Sequence, residues 1–143
     1  MLKGRLILLT LLSIGLSSQW IDIGSTLPVK PTIDVTSSNI EHSNIDFALR
    51  GFYLNPVFID DIEYFMVEFP TGATMLEEGN PYLQKISASI IIPDNKNMNL
   101  EIISSNFVEY ENINIAPSKG NLSRLLNPQD IPYIFGDIYN KNN

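Results

Sequence analysis

Few side chains in this sequence are of a type and spacing that could perform chemistry. Asp60, Asp61 and Glu63 form the densest acidic cluster, and paired carboxylates can serve acid–base catalysis or bind calcium through oxygen ligands. The cluster lacks the spaced Asp/Asn and glycine pattern of a calcium loop, so we interpret it as a solvated turn before a strand. His42 is the single histidine. Because its sequence neighbours point away from it on an extended chain, we expect a surface histidine.

Composition excludes most other site chemistry. The 143-residue chain has no cysteine, which removes thiol catalysis, disulfides and thiolate metal ligands. Nine Lys and Arg residues stand against 16 Asp and Glu residues, and this acidic balance is unfavourable for binding nucleic acid. We therefore expect no catalytic residue, no metal, no cofactor and no nucleic-acid partner in this chain.

The first 18 residues have the pattern of a secretory signal peptide. Lys3 and Arg5 precede an apolar run over residues 6–14, and small residues follow it, as signal peptidase requires. This run is shorter than the roughly 20 residues of a membrane-spanning helix, although an N-terminal anchor is the alternative. We predict a signal peptide over residues 1–18, no stable membrane span, and a protein that is secreted or held in a bacterial cell envelope.

The elements that follow are predicted to be strands. Residues 45–49, 64–69, 85–92 and 100–110 alternate apolar with polar residues or are rich in aromatic and β-branched residues. Turn signals separate these runs at roughly 8–12-residue spacing, which is typical of a sandwich or barrel. We predict an all-β fold with β-sandwich or jelly-roll-like antiparallel sheets and an extended C-terminal connecting segment. The predicted core consists of Phe47, Leu49, Phe65, Val67, Ile86, Ala88, Ile90 and Ile102.

Two shorter segments lie outside these strands. Residues 19–43 are rich in Ser, Thr, Pro and Ile, and we predict an extended leader arm there, with a possible short edge strand at residues 32–36. Asn127 is an N-cap type of residue, and Pro128 follows it at the first helical position. This pair predicts either one helical turn or a simple turn. Residues 44–143 would form the main domain.

Three motifs, made mainly of glycine, proline and apolar residues, follow one another in order. They are the turn over residues 78–83 with Gly79, Pro81 and Leu83, an apolar strand over residues 86–93 that ends in proline, and a third motif in two parts at residues 115–118 and 131–139. Their order resembles the N-terminal propeptide of gingipain-type cysteine peptidases from about residue 45 to the C terminus. Gln84 departs from the family, which usually has a second proline there.

The resemblance implies a pro-region rather than an enzyme. A propeptide of this family is expected to be a β-sandwich that helps its peptidase to fold and covers the active-site cleft until it is cleaved. The implied partner is the cognate peptidase catalytic domain in cis, and residues 44–143 would be a C-terminally truncated part of a longer precursor. In relatives with trypsin-like specificity a basic propeptide residue occupies the specificity pocket. Lys141 is the nearest positional candidate, followed by Arg124 and Lys119.

Two other functions stay open. A free-standing exported β-sandwich that binds carbohydrate or a surface protein would agree with the 10% aromatic content and the acidity. An enzyme based on the acidic cluster is the weaker alternative, because no orienting partner or pocket motif accompanies those carboxylates.

Overall fold

The computed structural model describes residues 17–92, 94 and 97–140. Nearly all of the predicted signal peptide, and also Lys141, lie outside these residues. The described part is all-β, with antiparallel strand pairs and one 3₁₀ turn, and none of its helices is long and apolar enough to cross a membrane. The elements are β1 (Gln19–Asp22), β2 (Thr32–Ser38), β3 (Ser43–Ala48), β4 (Gly51–Ile59), β5 (Ile62–Glu68), β6 (Ala73–Thr74), β7 (Gln84–Lys85) and the 3₁₀ turn Pro128–Asp130.

The central sheet has the strand order β1-β4-β5. Strands β4 and β5 form a hairpin in which Ile59 pairs with Ile62, so Asp60 and Asp61 are its two-residue turn. Both have positive φ angles, 51° and 65°, as the turn type that suits the twist of a hairpin requires. Aspartate tolerates this conformation better than most residues. The prediction of a solvated turn for the acidic cluster is confirmed.

Strand β1 lies at the beginning of the predicted leader arm and pairs with the central sheet. Trp20 pairs with Tyr53 of β4, and their rings meet edge to face with centroids 5.0 Å apart. The indole N–H of Trp20 donates a hydrogen bond of 2.9 Å to the carbonyl of Ser25. The indole lies directly over Gly51, where a Cβ would collide with the ring. Four residues are too few for an alternation pattern, so this strand depends on the partner surface rather than on a local signal.

Strands β2 and β3 form a separate hairpin, which confirms the edge strand expected at residues 32–36 and extends it to Ser38. Its tip is held by Asn39, whose side-chain oxygen accepts hydrogen bonds from the backbone N–H groups of Glu41 and His42 at 2.8 and 2.9 Å. His42 is exposed in this tip. The prediction of a surface histidine is confirmed.

The strands predicted at residues 85–92 and 100–110 are wrong as paired elements. Only Lys85 of these residues belongs to a strand, the two-residue β7 that pairs with β6. Residues 86–92 and 97–110 run without helix, strand pairing, turn or bend, and we call them the unpaired segments. Alternation shows that a segment is suited to a sheet, but it does not supply the neighbour to which the backbone must hydrogen-bond.

The core is accordingly smaller than predicted. Among the described residues, Leu54, Ile59 and Ala116 are the buried hydrophobic ones. Leu49, Phe65, Val67 and Ile86 are partly buried, whereas Phe47, Ala88, Ile90 and Ile102 are exposed. The last four were predicted wrongly, because periodicity indicates a face of a strand and not whether another layer covers that face. A jelly-roll-like arrangement of the sheets stays a prediction.

Candidate functional site

The turn over residues 78–83, which we call the motif turn, is built around Gly79. This glycine is buried and has a φ of +79°, a left-handed conformation that glycine adopts without steric cost. Its N–H donates to the carbonyl of Ser118 at 3.0 Å, and its carbonyl accepts from the N–H of Gly136 at 3.0 Å. A Cβ on Gly136 would lie 2.8 Å from the carbonyl oxygen of Gly79. Two glycines therefore allow two backbones to approach closely, and the sequence analysis identified only the first.

The second half of the motif turn joins a buried segment formed by Ala116, Pro117 and Ser118. Pro81 forms an antiparallel bridge with Pro117, and the N–H of Tyr82 donates to the carbonyl of Ala116 at 2.7 Å. Residues 116–118 thus lie beside the motif turn, and two motifs that the resemblance singled out separately are in contact.

Strand β5 attaches to the other edge of this buried segment. The N–H of Ala116 donates to the carbonyl of Phe65, and the N–H of Phe65 donates to the carbonyl of Asn114, both at 2.8 Å. Leu83, the third predicted motif residue, is 39% exposed, and its carbonyl accepts a hydrogen bond from the N–H of Met75. Leu83 therefore takes part in the turn mainly through its backbone.

A polar network fixes the side chain of Tyr82. Its hydroxyl donates to one carboxylate oxygen of Glu68 at 3.0 Å, and the amide of Asn55 donates to the other oxygen at 2.8 Å. Burial, and to a lesser degree the neighbouring carboxylate, raises the pKa of Tyr82 above its ordinary value. Tyr82 therefore keeps its proton and acts as a hydrogen-bond donor, which connects the motif turn to strands β4 and β5.

Residues 119–128 form a closed loop that follows the buried segment, and we call it the basic loop. The ammonium of Lys119 donates to the carbonyl of Pro128 at 2.7 Å and lies 4.0 Å from the centre of the Tyr133 ring. Partial burial lowers the pKa of Lys119. Gly120, the second residue of the loop, has a φ of +75°, and its N–H donates to the hydroxyl of Ser118 at 3.1 Å. The hydrogen bond from Lys119 to Pro128 thus connects the two ends of the loop.

Arg124 lies at the tip of the basic loop. The N–H of Leu126 donates to the carbonyl of Ser123 at 3.0 Å, which closes a tight turn with Arg124 and Leu125 at its centre. Both are exposed, and Leu125 is 95% exposed. After the tip, the side chain of Asn127 accepts a hydrogen bond from the N–H of Gln129 and caps the 3₁₀ turn, so of the two predicted alternatives the structure has the helical turn. Of the three basic candidates, Lys119 is engaged within the chain, Arg124 projects from a turn, and Lys141 is outside the described residues.

Aromatic packing holds the end of the described chain against the central sheet. The ring of Phe135 lies between Tyr64 and Tyr139, with centroid separations of 5.5 and 5.1 Å. The hydroxyl of Tyr139 donates to the carbonyl of Ile115 at 3.0 Å, and burial raises the pKa of Tyr139 to about 12. The C-terminal segment lacks strands over residues 119–140, yet it is anchored at both of its ends.

A groove of about 350 Å³ lies between the motif turn and the basic loop. Its walls are mainly apolar and include Met66, Leu76, Pro117 and Leu122. The basic loop contributes Leu122 and Pro128 to this groove, whereas Arg124 is exposed and is not among its lining residues.

Comparison with known proteins identifies the family. Residues 25–143 match the family model described as Propeptide_C25. The chain is 32% identical over 111 residues to gingipain R2 of Porphyromonas gingivalis, which covers 78% of this chain and 15% of that protein. It is 40% identical over 80 residues to gingipain R1 of Porphyromonas gingivalis, covering 54% of this chain and 8% of that protein.

A solved structure gives the same result. The complex of Porphyromonas gingivalis RgpB pro- and mature domains matches with a TM-score of 0.71 and 30% identity, covering 80% of this chain and 60% of that chain. The chain spans less than a fifth of the length of gingipain R2. The predicted resemblance is thereby confirmed: this chain belongs to the propeptide family of the gingipain-type cysteine peptidases.

Proposed function

We propose that this chain is the pro-region that assists folding of a gingipain-like cysteine peptidase and inhibits it, with Arg124 entering the specificity pocket. Membership of the propeptide family supports the general role. The solved relative is a complex of a pro-domain with a mature domain, so the partner proposed here is the catalytic domain of the same precursor. While both are parts of one chain, the effective concentration of the inhibitor is set by the linker rather than by dilution.

The single observation that carries the residue assignment is the position of Arg124 at the tip of the basic loop. A residue that enters a pocket must project from its own domain, and it loses less conformational freedom when its loop is already ordered. Arg124 meets the first condition, because it is exposed in the centre of the Ser123–Leu126 turn. The guanidinium could pair with a carboxylate in two parallel hydrogen bonds, which is the arrangement that makes arginine effective in such contacts.

Lys119 is proposed as a positioning residue rather than as the inserted one. Its ammonium already has an acceptor at Pro128 and a ring at Tyr133, and both contacts would have to break for it to enter another protein. Its hydrogen bond spans nine residues, which restricts the loop that carries Arg124. Lys141 stays a candidate that the described residues do not test.

The decisive experiment measures inhibition of the peptidase domain of the same precursor by the purified chain and by Arg124→Ala. We expect the wild-type chain to inhibit at submicromolar concentration. Arg124→Ala should raise the inhibition constant by at least about 30-fold, the equivalent of the roughly 2 kcal/mol lower bound for truncating one partner of a buried charge pair. The matched control is Arg50→Ala, because Arg50 is also exposed but lies between β3 and β4; it should change inhibition by less than about 2-fold.

Variants of Lys119 separate positioning from insertion. Lys119→Arg retains a cation over Tyr133 and should inhibit nearly as well as the wild type, whereas Lys119→Met should weaken inhibition about 3- to 10-fold, as loss of a cation–π contact and one exposed hydrogen bond implies. If Arg124→Ala has no effect and Lys119→Met or Lys141→Ala abolishes inhibition, the assignment to Arg124 is wrong. A wild-type chain that gives no inhibition at micromolar concentration refutes the inhibitory function itself.

The same proposal includes export. The pattern of residues 1–18 supports a cleaved signal peptide and a secreted or cell-envelope location. Expression in a bacterial host with a Sec system, followed by mass measurement, should show loss of about 18 N-terminal residues. A product that still begins at Met1 contradicts the signal peptide.

A further inference from the structure

The tip of the basic loop carries a leucine beside the arginine. Leu125 is 95% exposed, and among the exposed large apolar side chains of the described residues only Ile91 has a higher exposed fraction. A single exposed leucine on a protein surface is ordinary, so its exposure alone carries no conclusion. Its position is informative, because Arg124 and Leu125 together form the centre of the turn closed by Ser123 and Leu126.

The conformation of this turn does not require a leucine. Neither Arg124 nor Leu125 has a positive φ, so the backbone at both positions is open to most residue types. The residues that favour turns are mainly Gly, Asn, Asp, Ser and Pro, which tolerate or preset the turn dihedrals or hydrogen-bond locally. Here Ser123 supplies the local hydrogen bond, since its hydroxyl accepts from the N–H of Leu125 at 3.3 Å. The leucine side chain is therefore not needed to form the turn.

Packing within the described part of the chain does not account for this leucine either. Of the three leucines in the basic loop, Leu122 lines the groove, whereas Leu125 is not among the groove residues. The loop that holds Leu125 in solvent is closed by the hydrogen bond from Lys119 to Pro128. An ordered loop loses less conformational freedom on binding, so an apolar side chain at its tip is well placed for a contact with another domain.

The proposed insertion of Arg124 determines what Leu125 would meet. Consecutive Cα atoms lie about 3.8 Å apart, so a cleft that receives the guanidinium also meets the leucine at the rim of its pocket. Polar groups at that rim would lose hydration against an apolar side chain without gaining a hydrogen bond. An apolar depression would instead bury the leucine favourably.

We propose that Leu125 is a second contact residue of the basic loop, which packs into an apolar depression of the catalytic domain beside the pocket proposed for Arg124. This inference rests on the proposed function. Its occupant is the catalytic domain of the same precursor, since the solved relative is a complex of a pro-domain with a mature domain. The tip thus fits a partner that has an acidic pocket and an apolar pocket side by side.

Inhibition of the peptidase domain of the same precursor by variants at Leu125 tests this contact. Leu125→Asn replaces the apolar branches by an amide of similar shape and introduces a residue that favours turns. It should raise the inhibition constant at least about 10-fold, as the loss of a buried leucine side chain implies. Leu125→Met retains the apolar surface and should stay within about 3-fold of the wild type.

Ile40→Asn is the matched control for the same chemical change. Ile40 is 79% exposed in the tip of the β2–β3 hairpin, and its replacement should change inhibition by less than about 2-fold. Urea unfolding shows whether Leu125 has a structural role instead. Leu125→Asn should unfold at the same urea concentration as the wild type, because a side chain in solvent contributes little to stability.

Four outcomes overturn the proposal. They are unchanged inhibition by Leu125→Asn, an equal loss of inhibition in Leu125→Met and Leu125→Asn, a lower unfolding midpoint of Leu125→Asn, and a wild-type chain that dimerises at the assay concentration while Leu125→Asn does not. The last outcome would assign the leucine to a second copy of the chain.

Failure of this inference is distinguishable from failure of the proposed function. If Arg124→Ala weakens inhibition and Leu125→Asn does not, the proposed function stands and the apolar depression is refuted. If Leu125→Asn weakens inhibition and Arg124→Ala does not, the leucine is a contact and the insertion of Arg124 is refuted. A wild-type chain that does not inhibit at micromolar concentration refutes both.

Discussion

Replacement of Gly79 by alanine should destabilise the domain more than any other glycine-to-alanine change in the motif turn region. The left-handed φ of +79° costs an L-residue about 1–2 kcal/mol. The new Cβ would also lie 3.0 Å from the backbone nitrogen of Gly136, and overpacking of this kind typically costs about 1–3 kcal/mol. Together these effects predict a loss of about 2–5 kcal/mol in the free energy of unfolding.

The measurement is urea unfolding followed by the fluorescence of Trp20, the single tryptophan, whose ring packs on Tyr53. With a slope of about 1.5 kcal/mol per molar urea, the expected loss lowers the unfolding midpoint by about 1–3 M. Circular dichroism of the variant in the absence of urea shows whether it still folds. If it does not, its stability has fallen by at least the wild-type free energy of unfolding.

Two further glycines serve as graded controls. Gly136→Ala creates a similar close contact between the same two segments, with its Cβ 2.8 Å from the carbonyl oxygen of Gly79. Because Gly136 has no left-handed φ, we expect a smaller loss of about 1–3 kcal/mol in the free energy of unfolding. Gly24→Ala places its Cβ 3.8 Å from the nearest atom of Arg50, and its effect should stay within about 0.5 kcal/mol. If Gly79→Ala and Gly24→Ala have the same effect within about 0.5 kcal/mol, the reasoning on the close approach of the two backbones is refuted.

Three smaller effects follow from the same structure. Burial raises the pKa of Tyr139 from 10.0 to about 12, so the folded chain holds the phenolic proton more tightly than the unfolded chain does. The resulting contribution to the free energy of unfolding is complete below pH 10 and is lost as the pH rises towards 12. Urea unfolding measured across this pH range should show the loss in the wild type and not in Tyr139→Phe. Glu68→Ala should lower the free energy of unfolding by about 1–3 kcal/mol, because the Tyr82 hydroxyl loses its acceptor. The exposed control Glu63→Ala should change it by less than about 0.5 kcal/mol. Asp61→Gly should raise the unfolding free energy by about 0.5 kcal/mol through relief of a positive φ in the hairpin turn; a decrease in stability would contradict the assigned turn.

Local signals in the sequence predicted strand β5 and the solvated turn before it, but not strand β4 as its partner. Residues 51–59 were not among the predicted strands, whereas in the structure Ile59 pairs with Ile62 and leaves Asp60 and Asp61 as the two-residue turn of a hairpin. The 3₁₀ turn after Asn127 follows from an N-cap and a proline in succession. Gly79 could be singled out because the resemblance marked its turn, and its left-handed φ agrees with the choice of residue.

The candidate site was predictable only in part. Arg124 and Lys119 were both identified as basic residues of the C-terminal segment, but nothing in the sequence separates a cation that projects from one that closes its own loop. That difference depends on Tyr133 and on the carbonyl of Pro128, which reach Lys119 only when the chain turns back. Gly136 was missed for the same reason, since its role is defined by a backbone that lies 57 residues earlier in the chain.

The sequence by itself determined that this chain is rich in strands, has no cysteine for thiol chemistry and contains the ordered motifs of a propeptide. Only the tertiary structure decided that residues 19–22 are a strand of the central sheet and that residues 86–92 and 97–110 have no partner here. The physical reason is that a strand is stabilised by hydrogen bonds to another strand, often distant in sequence. A segment can therefore have every local property of a strand without being paired in the folded chain.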